Sequence, residues 1–305
     1  MKFGKLNDIS EVDFQLPADP TDTTEWLADL PFPKERSRVY IGCTGWSMKE
    51  WVGPVYPKGT KAKDYLLEYG KQFNTIELNT THYRIPSPAL VEKWIQETPD
   101  DFRFCPKVPQ VISHARDLGI NSGRLIEFTA ALEGLLPKLG ACFMQFPPYV
   151  STEHQRRILQ FLDHWPNHLP LSLELRHESW FTQGSTSSTL FAELRKRGIG
   201  LVITDVAGRR DVLHQQLCAD QLMVRFVGNG LHPTDYERVD EWVQKLNQWL
   251  QSGLNDIYFF PHEPDNILAP DLCLYLWERL QSYPDIETRG PSLPPDAAGS
   301  QIALF

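Results

Sequence analysis

Short apolar runs rich in β-branched and aromatic residues recur at steady intervals along the chain. The eight runs are VYIGC (39–43), NTIELN (74–79), FRFCPK (102–107), ACFMQF (141–146), LSLELR (171–176), GLVITD (200–205), LMVRFV (222–227) and DIYFF (256–260). Stretches of helical periodicity follow all but the sixth, at 61–72, 88–97, 122–138, 152–164, 188–197, 236–251 and 266–281. Strands that alternate with helices in this way indicate βα units around a parallel sheet.

The number of βα units favours one α/β fold over the others. Eight units over about 240 residues predict a single (β/α)8 TIM-like barrel, here spanning residues 38–282. No G-x-G-x-x-G follows a run and no P-loop sequence occurs, so a nucleotide held in either of those ways is not expected. Residues 1–37 are predicted as an acidic N-terminal extension with one short helix in TTEWLADL. Residues 283–300, rich in Pro, Gly, Ser and Asp, are predicted as a flexible linker in a C-terminal tail.

Charge and composition narrow the class of protein. The chain of 305 residues has a formal charge of −9, and the two ends carry most of it: residues 1–37 contain four basic and eight acidic residues. A basic cleft in the barrel therefore stays compatible with the acidic total. No run approaches the roughly 18 apolar residues of a membrane helix, and the start lacks the apolar part of a signal peptide. A cytoplasmic protein with no membrane partner is predicted, and its five widely spaced cysteines favour reduced, buried thiols.

Polar side chains at the ends of the runs are the candidates for chemistry, because barrel active sites form at the carboxyl ends of the strands. In LSLELR the strand period of two turns Leu173 outward and Glu174 and Arg176 inward. The predicted acid or base groups are Glu77, Glu174 and Asp205, and the predicted anion-binding groups are Lys107, Arg176 and Arg225. The alternative is that these inward charges only neutralise one another in a structural network.

Other residues are expected around the same mouth. The predicted set is Trp46, Asn79, Tyr83, Gln145 and His177. The long loop TGWSMKEWVGPVYPKG (44–59) carries aromatic rings that could stack on a base or sugar, or form a small core of their own. No cofactor is predicted: histidines occur near strand ends, but without the spacing of a known zinc motif, and a divalent metal is not favoured beside the predicted cations.

Several long motifs resemble the YecE family, also described as domain of unknown function 72. They are IGCTGWSMKEWVGPVYPKG, FNTIELNTTHYRIPSPALVEKW, FRFCPKVPQVISH, ACFMQFPP, LELRHESWF and ITD, in the family's order from about 39 to 281. The resemblance implies a TIM-like barrel and brings no established activity. The positions that it carries over are Gly42, Thr44, Gly45, Trp46, Glu77, Asn79, Tyr83, Lys107, Gln145, Glu174, Arg176, His177, Trp180, Asp205 and Arg225. The sequence departs from the family after the eighth run, where FFPHEPDN (259–266) replaces an asparagine pair.

The last residues form a separate candidate motif. QIALF (301–305) resembles the short Q-L-x-L-F peptide with which bacterial replication and repair proteins bind the DNA polymerase sliding clamp. In that mode Gln301 bonds the rim of a pocket while Ile302, Leu304 and Phe305 supply the apolar side. The leading hypothesis is a DNA-associated enzyme that processes phosphodiesters or damaged bases and holds a phosphate at the barrel mouth. The alternatives are an isomerase or lyase acting on a small phosphorylated or carboxylated substrate, with the tail folded back, and a non-catalytic adaptor for nucleic acid or protein.

Overall fold

Parallel strands and the helices between them dominate the structure, a computed structural model that describes residues 4–31, 36–182 and 187–293. The strands are β1 Ser37–Ile41, β2 Thr75–Leu78, β3 Arg103–Pro106, β4 Cys142–Gln145, β5 Leu171–Glu174, β6 Gly200–Asp205, β7 Gln221–Val227, β8 Asp256–His262 and β9 Ile286–Arg289. The first eight lie within two residues of the eight predicted runs at each end. The α/β class is therefore confirmed, and all eight predicted runs form strands, with β9 as an additional strand.

The helices fill the predicted connections. They are α1 Thr21–Ala28, α2 Tyr65–Gln72, α3 Pro88–Gln96, α4 Gln110–Ser113, α5 Arg124–Leu135, α6 Gln155–Leu162, α7 Ser187–Arg197, α8 Pro233–Gln251 and α9 Ala269–Leu280. Local sequence sets several starts: Ser87 caps α3 by accepting from the Leu90 amide, and Pro88 takes the first position, where no amide is needed. None of the helices in the described part of the chain combines the length and apolar character needed to cross a bilayer.

The strands pair in two ladders. Seven strands follow the order β4-β5-β6-β7-β8-β1-β9, and β2 pairs with β3. Two isolated bridges, Phe104 with Leu139 and Lys107 with Phe143, link β3 to the β4 region. On the other side the Glu77 amide donates to the Cys43 carbonyl at 3.1 Å. These links are consistent with a TIM-like barrel.

The predicted closed barrel is nevertheless only partly realised as a hydrogen-bonded sheet. The ladder is interrupted between β3 and β4 and between β1 and β2. At the second of these places the reason is β9, which pairs with β1 from Ser37 opposite Ile286 to Tyr40 opposite Arg289. That pairing occupies the edge of β1 that a neighbouring β2 would use. Strand β2 comes close to this part of the chain only at Gly42, just after the end of β1. The approach is so close that a Cβ on Gly42 would lie 2.0 Å from the Thr75 carbonyl oxygen.

The two faces of the strands separate as the period of two requires. Leu171, Leu173 and Leu175 belong to the large core beneath the helices. A smaller inner cluster fills the space enclosed by the strands, with Tyr40, Cys105, Ala141, Phe143, Val202, Met223, Tyr258 and Phe260. This inner cluster is apolar in its middle, so the charged side chains of the inner face lie beyond it toward the carboxyl ends of the strands.

The N-terminal extension supplies a helix where the sixth connection lacks one. Residues 206–220 contain only the 3-10 segment Ala207–Val212, and α1 lies beside them. The Leu217 amide donates to Thr23 Oγ1 at 3.1 Å. Asp22 of α1 pairs with Arg195 of α7 at 3.1 Å, and Asp19 pairs with Lys245 of α8 at 3.0 Å. Helix α1, which the sequence predicted, therefore fills the gap between α7 and α8 as part of the helical layer.

The C-terminal segment differs from its prediction. The flexible linker was predicted to begin at residue 283, but Ile286–Arg289 form β9. The Arg289 guanidinium fixes this strand by donating to Asp101 and to the carbonyl of Phe73, at 2.6 and 3.0 Å. The polar composition of this segment gave no sign of a strand, because β9 is stabilised by its pairing with β1 and by the contacts of Arg289. Residues 294–300 of the predicted linker and the docking peptide, Gln301 to Phe305, lie outside the described residues.

Candidate active site at the carboxyl ends of the strands

A buried ion cluster lies on the inner face where the strands end. We call it the strand-end network, and it consists of Glu77, Lys107, Gln145, Glu174, Arg225 and His262. Arg225 is at its centre and only 1 % exposed. Its Nε and Nη2 donate to the two carboxylate oxygens of Glu77, both at 2.9 Å, and its Nη1 donates to Glu174 Oε2 at 2.9 Å. The fork geometry of a guanidinium thus holds carboxylates from β2 and β5 on one cation.

The strand-end network extends through Gln145 to Lys107, the cation predicted at the end of β3. Gln145 donates its Nε2 to both oxygens of Glu174, at 2.9 and 2.8 Å. Its Oε1 is thereby turned toward Lys107, whose Nζ donates to it at 2.9 Å. Asn79 Nδ2 donates to Glu77 Oε1 at 2.8 Å, and His262 Nε2 lies 3.0 Å from Glu77 Oε2.

Ion pairing keeps both carboxylates of the network ionised. Burial would raise the pKa of Glu77, but Arg225 and then His262 outweigh it and leave the pKa well below its usual value. The pKa of Glu174 is also lowered, since Arg225, Arg176 and Lys107 together outweigh its burial. Both carboxylates accept from several donors, so neither has the raised pKa that suits a general acid at neutral pH.

Lys107 has the opposite electrostatic setting. Burial lowers its pKa to about 8, with a further lowering by the nearby Arg225 charge that Glu174 and Glu77 only partly offset. The side chain is 8 % exposed, and Gln145 Oε1 is the one hydrogen-bond acceptor of its ammonium group among the described residues. A lysine with this pKa exchanges a proton near physiological pH.

Cationic and aromatic side chains surround Lys107. Arg176 Nε lies 3.8 Å from Glu174 Oε1. The rings of His82 and His114 are 5.7 Å apart; burial first, and then the Lys107 charge, lower the pKa of His114. Tyr83 packs edge-on against His82 and is 81 % exposed. The rim around Lys107 thus combines the Arg176 cation, two imidazole rings whose lowered pKa values favour the neutral form, and a projecting aromatic ring.

Two of the predicted site residues have local structural contacts. His177 caps the 3-10 turn Glu178–Trp180 by accepting from the Ser179 amide through Nδ1. Trp46 packs edge-on against Trp94 at 6.1 Å between ring centroids. Both lie in loops that follow strands, but no described contact joins either of them to the strand-end network.

Asp205 lies apart from the other predicted acid or base groups. It shares its parity along β6 with Leu201 and Ile203, which belong to the outer core. Its carboxylate accepts from Trp242 Nε1 at 2.8 Å and pairs with Arg238 at 2.8 Å and with Arg210. The pKa of Asp205 is lowered because Arg238 and Arg210 outweigh its burial. The structure therefore brings Glu77 and Glu174 together and places Asp205 under α8.

The long aromatic loop after β1 is mostly internal packing. Trp51 and Tyr56 are each 1 % exposed. Trp51 Nε1 donates to the Ile267 carbonyl at 2.9 Å, and the Tyr56 hydroxyl donates to the Trp46 carbonyl at 2.8 Å. Of the two interpretations that the sequence left open, the small core describes these two rings, because neither has a face available to a ligand.

Two groups at the site were not selected from the sequence. His262 is one of the histidines near strand ends that the sequence suggested only as potential metal ligands. It alternates along β8 with the same period as Tyr258 and Phe260, which places it on the inner face. Glu263, the next residue, was not singled out at all and is 3 % exposed. Extending the alternation of β8 by two residues would have identified His262. Within the described ranges, no three His, Cys, Asp or Glu side chains converge in a way that could hold a metal ion.

The comparisons with known proteins agree with this architecture. Residues 40–297 match the family described as "Protein of unknown function DUF72". The UPF0759 protein YecE of Escherichia coli K12 is 33% identical over 286 residues, which cover 88% of this chain and 100% of that protein. The chain belongs to the DUF72 family. A second relative, the UPF0759 protein YunF of Bacillus subtilis, is 31% identical over 159 residues, or 50% of this chain and 55% of YunF.

A solved DUF72 structure supports the fold. The DUF72 family protein EF0366 of Enterococcus faecalis V583 superimposes with a TM-score of 0.65 at 20% identity, covering 81% of this chain and 99% of that one. At this identity the similarity shows a shared fold alone. The predicted resemblance to the family is thus confirmed. Arguments about activity must come from the site itself.

Proposed function

We propose that this DUF72 protein is an enzyme that acts on a small substrate. The phosphate or carboxylate group of the substrate binds at the carboxyl ends of the strands, and Lys107 transfers a proton to or from the substrate. The observation that carries the proposal is the bonding of Lys107. An ammonium group has three donors, and in the described part of the chain only Gln145 accepts from it. Two N–H groups of a nearly buried cation are then available to a ligand.

The charge of the surroundings supports an anionic ligand. Three cations, Lys107, Arg176 and Arg225, stand against two carboxylates, Glu77 and Glu174. The inner face therefore carries one net positive charge when Lys107 is protonated and His262 is neutral. Burial, the largest influence, lowers the pKa of His262 and favours that neutral form. A phosphate or carboxylate near Lys107 and Arg176 would balance the excess.

The pKa of Lys107 supports proton transfer in addition to binding. With a pKa of about 8, roughly one molecule in ten has a neutral amine at pH 7. A bound anion favours the ammonium form, which can give a proton to the substrate, and the remaining amine form can take a proton from a neighbouring carbon or hydroxyl, as an isomerase or lyase requires. In this proposal Glu77 and Glu174 fix Arg225 and Gln145, and Gln145 in turn orients the Lys107 amine.

Anion binding tests the proposal directly. We expect inorganic phosphate or acetate to bind the full chain in isothermal titration calorimetry, with K107M at least about tenfold weaker, since a charge-assisted hydrogen bond contributes about 1.5–3 kcal/mol. K107R should keep the anion and lose any proton-transfer activity. The matched control is K196M, which removes the same charge from an exposed position on α7. Equal affinities for wild type and K107M would contradict the proposal.

A second candidate is a DNA-associated enzyme that the sliding clamp recruits through Gln301, Ile302, Leu304 and Phe305 and that acts on phosphodiesters or damaged bases. Two observations favour it: the terminal QIALF peptide itself, and the exposed Tyr83 ring beside the cationic rim, which suits stacking on an unpaired base. Clamp binding should require the residues after Gly299, and binding of single-stranded DNA should fall in Y83A. If truncation and Y83A both leave binding unchanged, or neither partner binds, this candidate is rejected.

A further inference from the structure

A cavity of about 350 Å³ lies beside the strand-end network. Its walls come from the carboxyl ends of β6, β7 and β8, including Val206, Gly228, His262 and Glu263. Residues 4–9 of the N-terminal extension line its other side, where the Gly208 amide donates to the Gly4 carbonyl at 2.8 Å. We call it the covered cavity. It occupies the end of the barrel at which enzymes of this architecture bind their substrates.

Two buried oxygens lining this cavity lack hydrogen-bond donors. Glu263 Oε2 accepts from the Gly230 amide at 2.7 Å, but Glu263 Oε1 has no partner among the described residues. The same holds for Asn266 Oδ1. A buried acceptor without a donor costs about 1–3 kcal/mol. Two such atoms lining one cavity indicate a ligand that donates hydrogen bonds.

The backbone near these buried oxygens has two unusual positions, Gly228 and Asn266. A Cβ on Gly228 would lie 2.2 Å from Glu263 Oε1, so the carboxylate occupies space that only a glycine leaves open. Asn266 has a φ of 63°, in the left-handed region, which asparagine adopts more readily than other non-glycine residues.

Glu263 can also exchange a proton near neutral pH. Burial, and then the neighbouring charge of Asp235, raise the pKa of Glu263 to about 7. Asp235 itself is held by the amides of Asn229 and His232 at 2.8 and 2.9 Å and by Arg238. The carboxyl group of Glu263 thus titrates near neutral pH, in contrast to Glu77 and Glu174, whose pKa values are lowered.

We propose that the covered cavity binds the hydrogen-bond-donating end, a hydroxyl or an ammonium group, of the same substrate whose anionic group is bound at Lys107. This inference rests on the proposed function. His262 connects the two parts, because its ring lines the covered cavity while its Nε2 contacts Glu77 of the strand-end network at 3.0 Å. The substrate class is therefore a small molecule with an anion at one end and a donor group at the other.

Three matched phosphates test the inference on the full chain by calorimetry: ethyl phosphate, glycerol 3-phosphate and phosphoethanolamine. We expect either glycerol 3-phosphate or phosphoethanolamine to bind about tenfold more tightly than ethyl phosphate, which has no donor group, since two new hydrogen bonds form. The stronger ligand identifies the donor as hydroxyl or ammonium. E263A should abolish the gain and leave the affinity for ethyl phosphate unchanged. The control is E237A, which removes an exposed carboxylate from α8.

A second measurement separates this inference from the proposed function. Glycerol and ethanolamine, which lack an anion, should shift the amide resonances of Gly228 and Gly230 in wild type and not in G228A, whose methyl group displaces Glu263. If no phosphate binds but these shifts occur, the Lys107 proposal fails and the cavity remains a binding site for a donor group. If ethyl phosphate binds, no donor-bearing ligand gains affinity and the two amides do not move, the inference about the covered cavity is overturned.

Discussion

Two buried lysines at opposite ends of the strands differ in how their ammonium groups are satisfied. Lys138 lies before β4, and its Nζ donates to the carbonyls of Ile95 and Thr98 at 2.8 and 2.5 Å and to Thr98 Oγ1 at 3.3 Å. Lys107 lies after β3, and its Nζ donates to Gln145 alone among the described residues. Lys138 thus has one acceptor for each of the three N–H groups of its ammonium. Lys107 has an acceptor for only one of its three N–H groups among the described residues.

In our proposal this difference separates charges that stabilise the fold from charges that bind a ligand. In barrels of this architecture the amino ends of the strands serve stability and the carboxyl ends serve function. A saturated group such as Lys138 contributes to folding, and its loss should be felt there. An unsaturated group such as Lys107 or Glu263 carries a cost in the free protein that a ligand can repay. Arg225 also lies at the carboxyl ends of the strands, but it is paired with two buried carboxylates, Glu77 and Glu174, so its loss should affect folding as that of Lys138 does.

The largest effect is expected for Arg225. R225M leaves two buried carboxylates, Glu77 and Glu174, without their shared cation, so we expect a loss of about 3–5 kcal/mol in the free energy of unfolding, measured by urea denaturation. The triple variant E77Q/E174Q/R225M should recover part of this loss, because it removes the uncompensated charges. If R225M lowers the free energy of unfolding by less than about 1 kcal/mol, the ion pairs of Arg225 with Glu77 and Glu174 do not stabilise the fold as we expect.

A smaller loss is expected for the saturated lysine. K138M removes the donor of three hydrogen bonds and leaves the Thr98 carbonyl unpaired, which should cost about 2–3 kcal/mol of folding free energy. Phosphate affinity should stay within about twofold of wild type, a change of less than 0.5 kcal/mol. The same two assays on K107M should give the reverse pattern, with stability kept and affinity lost. If both variants lose stability equally, the comparison between the two lysines fails.

The sequence predicted the strands well because their signal is local. All eight runs become strands, and the period of two correctly directs Glu77 and Glu174 inward. Applied to GLVITD, the same rule sets Asp205 on the side of Leu201 and Ile203, and the structure shows it paired with Arg238 of α8. The inner-face members of the candidate site could therefore be predicted from strand position and parity alone.

The remaining features depend on contacts between distant segments. Strand β9 has no apolar alternation of its own and forms because the edge of β1 is available to it. Glu263 lines one cavity together with residues 4–9, which lie more than 250 residues away from it in sequence. The lowered pKa of Lys107 likewise arises from burial and from Arg225, on a strand far along the chain. No local pattern carries this information.

The pH dependence of stability gives the smallest effect. Burial lowers the pKa of Lys107 from 10.5 to about 8, so above pH 8 the folded protein binds fewer protons than the unfolded chain and its stability increases with pH. For one such group the gain between pH 7 and pH 9 is about 1 kcal/mol. Urea denaturation should show this gain in wild type relative to K107M, which has no titrating group at that position.

K196M, which changes an exposed lysine, should keep the wild-type slope. Saturating phosphate should reduce the gain, because a bound anion favours the protonated amine. Parallel pH profiles for wild type and K107M would show that Lys107 carries no penalty in the free protein, and the distinction from Lys138 would then have no energetic basis.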